Sequence, residues 1–174
     1  MSDFNKNIKQ TFANLLSIYQ DVAILFKDAD ALLEEANILC FHGSGIITES
    51  SKSLAYPEWW ILQYMLRGYA SESAPLDIKA IGVFFLDRRQ KPIDPLLLFG
   101  NCVLVDRSLE QSRDSVVFIR DAWFKPEEEK TINQCYKLDG MQGIESGFVQ
   151  GIALETLKDL RTLKEQVVDP LLNS

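Results

Sequence analysis

Residues 78–86, Ile-Lys-Ala-Ile-Gly-Val-Phe-Phe-Leu, decide the fold of this chain. β-Branched and aromatic residues occupy both alternating faces of the run, which indicates a central strand covered on both sides. Residues 96–105 and 116–124 continue the pattern, and short polar segments separate the three runs. Short connections join antiparallel neighbours, so the three runs predict a meander at the centre of a sheet.

The N-terminal region carries the strongest helical signal. Apolar residues recur at steps of four and three, which predicts an amphipathic helix. Either Asp28 or Asp30 is expected to interrupt it and to cap a second helix that runs through Glu35. The helix either packs lengthwise on its own domain or pairs in a dimer, and both alternatives remain open. The stripe consists of Ile8, Phe12, Leu15, Tyr19, Val22, Phe26, Ala29 and Leu33.

Between these regions the patterns predict a hairpin and a further helix. Residues 38–48 read as a hairpin that turns at residues 43–45. Pro57 suits a first helical position, and the apolar residues 59–66 predict a helix covered on several sides. Gly68 and the residues after it are expected to end this helix.

The C-terminal third is predicted as a hairpin and a closing helix. Residues 127–138 fit a helix or a strand, and a wide hairpin of 131–138 with 148–154 is the favoured interpretation. The spacing of Leu157, Leu160, Leu163, Val167, Val168 and Leu171 indicates an amphipathic helix. Thr156 with Asp159, or Thr162 with Glu165, is expected to form its capping box.

The predicted fold class is therefore α+β, in one domain spanning residues 1–174. N-terminal helices precede a central antiparallel meander sheet of about five strands, and an amphipathic helix ends the chain. If the 38–48 hairpin forms, this order of elements is similar to that of PAS-like sensor modules. The sequence contains no PAS motif.

Composition and charge narrow the classes of partner. The chain has 18 basic and 25 acidic residues, a net charge of −7. This sign disfavours nucleic acid and anionic membrane surfaces, and it favours a basic protein partner or a small ligand. The N-terminus lacks the pattern of a signal peptide, and the apolar runs are too short to span a bilayer. The widely spaced Cys40, Cys102 and Cys135 indicate reduced thiols, so a cytoplasmic location is expected.

Few residues suggest chemistry. His42 is the only histidine and lies two residues after Cys40, so a Cys–His pair or a zinc site shared with Cys102 and Cys135 is conceivable. Structural zinc sites favour closely paired cysteines, which this chain lacks. Its glycine-rich turns also lack nucleotide-binding spacing. No cofactor or metal is therefore expected, and an enzyme is disfavoured.

Aromatic residues offer the best candidate binding site. Large, rigid rings with a polar end suit partner or ligand contacts. The leading hypothesis is a non-enzymatic binding or regulatory module that contacts a protein partner or a second copy of itself. The residues selected for this role are Tyr56, Trp59, Trp60, Tyr64 and Trp123.

Two further functions are carried as alternatives. A small-ligand sensor would hold a pocket between the sheet and its helices, bordered by Tyr64, Phe84, Phe99, Phe118 or Trp123. A metal-assisted hydrolase would bring together at least two of three carboxylates, which are Asp87 and Asp106 at the ends of predicted strands and Asp121 within one.

Overall fold

A computed structural model describes residues 2–49, 62–87, 91–105, 115–125 and 130–174. Its core is one seven-stranded sheet in the order β1-β3-β4-β5-β7-β6, with β2 also paired to β3, and every pairing is antiparallel. An N-terminal helix and a C-terminal helix accompany the sheet, so the predicted α+β class is confirmed. The strands are β1 Leu39–Cys40, β2 Ile47–Thr48, β3 Tyr64–Ser71, β4 Ala74–Leu86, β5 Pro92–Leu104, β6 Cys135–Lys137 and β7 Ile144–Ala153.

The central meander exists, but its members differ from the predicted set. Residues 78–86 lie in β4 and residues 96–104 in β5, as predicted, and Ile81 is paired with Phe99. The third strand of the meander is β3, which precedes β4 along the chain. Side chains on both faces of β4 are buried, which explains why its sequence shows no polar face.

Two predicted elements have the wrong secondary structure. The helix predicted to run through residue 66 is wrong from Tyr64 onward, because that residue begins β3. The strand predicted over 116–124 is instead helix α2, Phe118–Trp123. Short apolar runs do not separate a buried strand from a buried helix. The buried positions Ile119, Ala122 and Trp123 follow the helical repeat, which decides in favour of α2.

Residues 38–48 do not form the predicted hairpin. Both β1 and β2 pair antiparallel with β3, Cys40 opposite Tyr69 and Ile47 opposite Leu66. The two segments therefore lie along the same edge of β3 as an interrupted strand. The turn that was expected to reverse the chain is an outward loop at residues 41–46. The hairpin on which the PAS-like order depended is absent from this edge of the sheet.

Helix α1 spans Ser2–Glu34 without a break, so the predicted interruption at Asp28 or Asp30 is wrong. Its apolar stripe is continuous, and both aspartates lie within regular helix. The helix ends three residues before Asn37, a non-glycine residue with φ 58° that turns the chain toward β1.

Helices cover both faces of the sheet. On one face, α2 packs through Ile119 and Trp123 against β5 and β7, and Val116, just before the helix, belongs to the same cluster. A Cβ on Gly151 of β7 would lie 2.5 Å from the Trp123 ring, so only glycine admits this indole so close to the sheet. On the other face, α1 and the C-terminal helix share a second buried cluster that includes Phe26 and Val167.

The C-terminal hairpin and helix are confirmed. Strands β6 and β7 pair antiparallel. The C-terminal helix comprises Leu160–Leu163, a π-helical segment Lys164–Val168 and Asp169–Leu172. Its capping box uses neither predicted pair: the Asp159 side chain accepts from the Thr162 backbone N–H at 2.8 Å, and the Thr162 side chain accepts from the Asp159 backbone N–H.

Candidate interaction surface

The first half of α1 extends away from the sheet. Every residue from 5 to 14 is exposed. Ile8 is 39% exposed and Phe12 62%, although both belong to the apolar stripe that becomes buried further along the helix; Leu16, beside the stripe, is 61% exposed. We call Ile8, Phe12, Leu15 and Tyr19 the open seam; Leu15 and Tyr19 are half-buried, and Tyr19 reaches the second core cluster.

The second half of α1 continues the same spacing inside the core. We call Val22, Phe26, Ala29 and Leu33 the closed seam, and each is at most 3% exposed. The closed seam packs with Leu163 and Val167 of the C-terminal helix and with residues of the sheet. One periodic pattern therefore has two environments along a single helix.

A buried ion pair fixes the closed half of α1 to the sheet. Arg67 of β3 is 4% exposed, and its guanidinium donates to Asp30 of α1 from Nε at 3.0 Å and from Nη2 at 2.6 Å. The same guanidinium donates to the carbonyl oxygens of Gly45 and Gly43, at 2.6 and 2.8 Å. Arg67 thus joins the helix, the sheet and the outward loop at residues 41–46 by bidentate, charge-assisted bonds.

The electrostatics around this ion pair fit a structural role. Burial acts to lower the pKa of Arg67, but the hydrogen bonds to Asp30 together with the charges of Cys40, Tyr69 and Asp30 outweigh it and raise the pKa, so the guanidinium stays protonated. Burial, and then the charge of Arg67, lower the pKa of His42. Burial raises the pKa of the Cys40 thiol. Both pKa shifts favour the neutral thiol and the neutral imidazole, which is the opposite of what an activated Cys–His pair requires.

A groove begins where the open seam ends. It has a volume of about 330 Å³ and lies between α1 and the segment that leads into the C-terminal helix. Ile24 and Leu160 on its walls are 57% and 51% exposed, and charged residues border it. The apolar lining comprises Ile18, Val22, Ile24, Leu25, Phe85, Pro95, Leu154, Leu157, Leu160 and Leu163, and the charged residues are Asp21, Asp28, Lys158 and Asp159.

The five aromatic residues selected from the sequence fall into two groups. Tyr56, Trp59 and Trp60 lie outside the described residues, so their role stays a prediction. Tyr64 and Trp123 are 1% and 6% exposed and lie in the cluster under α2. The Tyr64 hydroxyl donates to Glu49 at 2.8 Å, and the Trp123 ring meets Tyr136 edge-on with the ring centroids 5.8 Å apart.

The rings proposed to border a sensor pocket do not share one space. Phe84, Phe118 and Trp123 lie on the face covered by α2, whereas Phe99 lies on the opposite face with the closed seam. A single pocket can therefore be bordered by only some of these rings.

The candidate reactive residues are also dispersed. Cys102 is buried under α2, where burial raises the pKa of its thiol to about 12, while Cys40 packs on the other face and Cys135 is exposed. Among the described residues, no three histidine, cysteine or acidic side chains are grouped so that they could hold a metal ion.

The candidate strand-end acids have local partners. Asp106 lies outside the described residues. Asp87 accepts from the Lys91 backbone N–H at 2.9 Å, as turn aspartates do. Asp121 accepts from Arg120 at 2.9 Å. The strand predicted over 116–124 would place these two neighbours on opposite faces, but both lie on helix α2, where their side chains meet. Arg120 also pairs with Glu49.

Sequence reasoning missed the Arg67–Asp30 pair and the groove. The pair joins residues 37 positions apart, but an arginine within the apolar run of residues 64–70 was a signal, since a fully buried arginine requires a partner.

No helix in the described parts of the chain is long and apolar enough to cross a membrane. Comparison with protein-family models, curated proteins and solved structures finds no match.

Proposed function

We propose that this chain is a non-enzymatic binding module that receives a helical partner on the open seam of α1. One observation carries the proposal. A single four-three repeat runs from Ile8 to Leu33, and its second half is covered by the chain's own core while its first half faces solvent. Apolar side chains repeated at this spacing are characteristic of a helix-packing face.

The energetics of the exposed half support a partner. Most of the stability of a helix in a protein comes from packing of its apolar face, and the first half of α1 has little such packing within the chain. A polar sequence would serve better if this half only faced solvent, yet Phe12 and Leu16 are more than half exposed. Exposed apolar surface of this kind marks sites of association.

Photo-crosslinking in the producing cells tests the proposal. Benzoylphenylalanine in place of Phe12 is expected to yield a protein adduct, and the adduct is expected to vanish when Leu15→Glu is added. The same probe in place of Gln10, on the polar side of the helix, is the control and is expected to yield none. Equal adducts at positions 10 and 12, or none at either, would contradict a seam-specific partner.

The groove supports a second candidate function, small-ligand binding. Its volume of about 330 Å³ lies at the lower end of the range for small-molecule sites, and its lining is mostly apolar. A neutral apolar dye such as Nile red is expected to fluoresce in the presence of the protein. The signal should fall with Leu160→Glu on the groove wall and persist with Phe12→Glu. A signal unaffected by Leu160→Glu would refute this candidate.

We also propose that the module works in the cytoplasm. Cys40, Cys102 and Cys135 are free thiols, and they lie on different faces or edges of the sheet. Reduced, dispersed cysteines suit a reducing compartment. Cell fractionation with thiol alkylation before lysis tests this, and a disulfide-linked form isolated from cells would contradict it.

A further inference from the structure

We infer that the helix covering the open seam is the open seam of a second copy of this chain, running antiparallel to the first. This inference rests on the proposed function, because it names the partner for the same surface. Three features of α1 support it: the symmetry of the apolar spacing, the position of the folded body and the distribution of charge.

The apolar spacing is self-complementary when the helix direction is reversed. In antiparallel helix pairs, the two core positions of the repeat alternate across the contact. Phe12 then lies opposite Leu15 of the second copy, and Ile8 lies opposite Tyr19 of the second copy. Each contact occurs twice about the two-fold axis, as in an isologous dimer.

The position of the folded body selects the antiparallel direction. The open and closed seams lie on the same side of α1, and the closed seam, which begins at Val22, is already covered. A parallel second helix would carry its own body to the same end, where the two bodies would occupy the same space. In the antiparallel register, Asn5 of the second copy lies opposite Val22, so only the first turn of each helix, which begins at Ser2, extends beside the body of the other copy.

Charge favours a second copy over a strongly basic partner. Residues 2–20 contain Asp3, Lys6 and Lys9, a net charge of +1, so the remainder of the chain carries −8. The open seam lies in a segment that is not acidic, so it offers a basic partner little attraction. Antiparallel pairing also places the two acidic bodies at opposite ends of the contact, where screening weakens their repulsion.

The size of the surface indicates a reversible dimer. At about 200 Å² for a large side chain, the exposed fractions of Ile8 and Phe12 in the open seam and of Leu16 and Ile18 on its two flanks amount to at most about 400 Å² per copy. This is about half of the roughly 800 Å² that each partner contributes to a standard interface. We therefore expect a dissociation constant in the micromolar range.

Sedimentation equilibrium of the full chain provides the first test. The mass is expected to rise from 19.8 kDa toward twice that value as the concentration passes through the micromolar range. Phe12→Glu should weaken the dimer about 100-fold or more, since it places a charge in an apolar contact. Gln10→Glu adds the same charge on the polar side and should change the dissociation constant less than about threefold.

Disulfide trapping tests the direction of the two helices. Phe12→Cys and Leu15→Cys are made separately in a Cys135→Ser background, which removes the exposed native thiol. When the two proteins are mixed and oxidised, the antiparallel register predicts mainly the mixed dimer. Homodimers of Phe12→Cys would indicate a parallel pair and would overturn the direction.

The outcomes separate this inference from the function on which it rests. A Phe12 photo-adduct with the mass of two copies supports both. A chain that stays monomeric at 500 µM, together with a seam-specific adduct to a different protein, overturns self-pairing and leaves the binding module standing. A monomeric chain with no seam-specific adduct overturns both.

Discussion

The two halves of α1 have the same apolar spacing and opposite environments. From Val22 to Leu33 the seam is at most 3% exposed and packs with the sheet and the C-terminal helix, whereas Phe12 in the first half is 62% exposed. The closed half also carries Asp30, which holds the buried Arg67. A periodic apolar face therefore predicts that another surface packs on it, but it does not predict whether that surface belongs to the same chain or to a different one.

We expect the two halves of α1 to differ most in how much the free energy of unfolding falls when one phenylalanine in each is replaced by alanine. Phe26→Ala removes a 3% exposed ring from the core and should lower the free energy of unfolding by about 3–5 kcal/mol. Phe12→Ala should change it by less than about 0.5 kcal/mol in the monomer. Urea unfolding at nanomolar concentration, well below the expected dissociation constant of the dimer, measures both. Equal losses would mean that the first half is packed on its own domain.

The second contrast concerns the ion pair that fixes only the closed half. Arg67→Met leaves the Asp30 carboxylate, whose side chain is 31% exposed, without its bidentate partner, and should cost about 2–4 kcal/mol. Arg161 pairs with Glu165 in an exposed i,i+4 geometry, so Arg161→Met is the control and should leave the urea midpoint unchanged. If Arg67→Met also leaves the urea midpoint unchanged, the ion pair does not hold α1 to the sheet.

Removing part of the open half should have a small effect on folding. Deletion of residues 2–14 takes away a segment in which residues 5–14 are all exposed, so the free energy of unfolding should change by less than about 1 kcal/mol. Concentration-dependent sedimentation should disappear in the same variant. A large loss of monomer stability would show that the exposed turns contribute to the core.

The smallest expected effect is a pH dependence at the loop that Arg67 holds. Burial, and then the charge of Arg67, lower the pKa of His42 below its ordinary value, so the unfolded chain binds this proton at a higher pH than the folded one. The contribution is complete above about pH 6.5 and is lost as the pH falls from there through the folded pKa. Urea unfolding at pH 7.5 and 5.5 should show a smaller decline for His42→Gln than for the parent. An equal decline in the free energy of unfolding would exclude His42 as a source of the pH dependence.

Sequence patterns predicted the elements whose periodicity is unambiguous. Strand β4, the first nine predicted residues of β5, the C-terminal hairpin and the C-terminal helix were recognised from alternation or from the helical repeat. The segment that forms strand β3 was predicted as a helix, and the segment that forms helix α2 was predicted as a strand. An apolar run of fewer than ten residues that is buried nearly all round fits both structures. The 38–48 segment was misread because its two strands pair with β3 and not with each other, a long-range choice that a local turn signal does not encode.

The candidate surface was predicted in part. Residues 8–33 predicted the apolar stripe and offered a dimer as one alternative for it. They did not predict that burial stops near Tyr19, because that point depends on where the sheet and the C-terminal helix end. The aromatic residues were chosen as binding candidates because their rings are large. Large rings are equally suited to the core, and Tyr64 and Trp123 are both buried. The groove is formed by segments more than a hundred residues apart, which local patterns do not reveal.

The edges of the sheet bear on how this molecule behaves when concentrated. One edge is built from two-residue segments interrupted by a loop, and the other is the three-residue strand Cys135–Lys137 with an exposed lysine. Edges this short and broken offer few consecutive backbone groups to an incoming strand, and natural proteins use such edges to avoid fibril growth. Crowding is therefore expected to yield discrete species that dilution reverses, with no gain in thioflavin fluorescence.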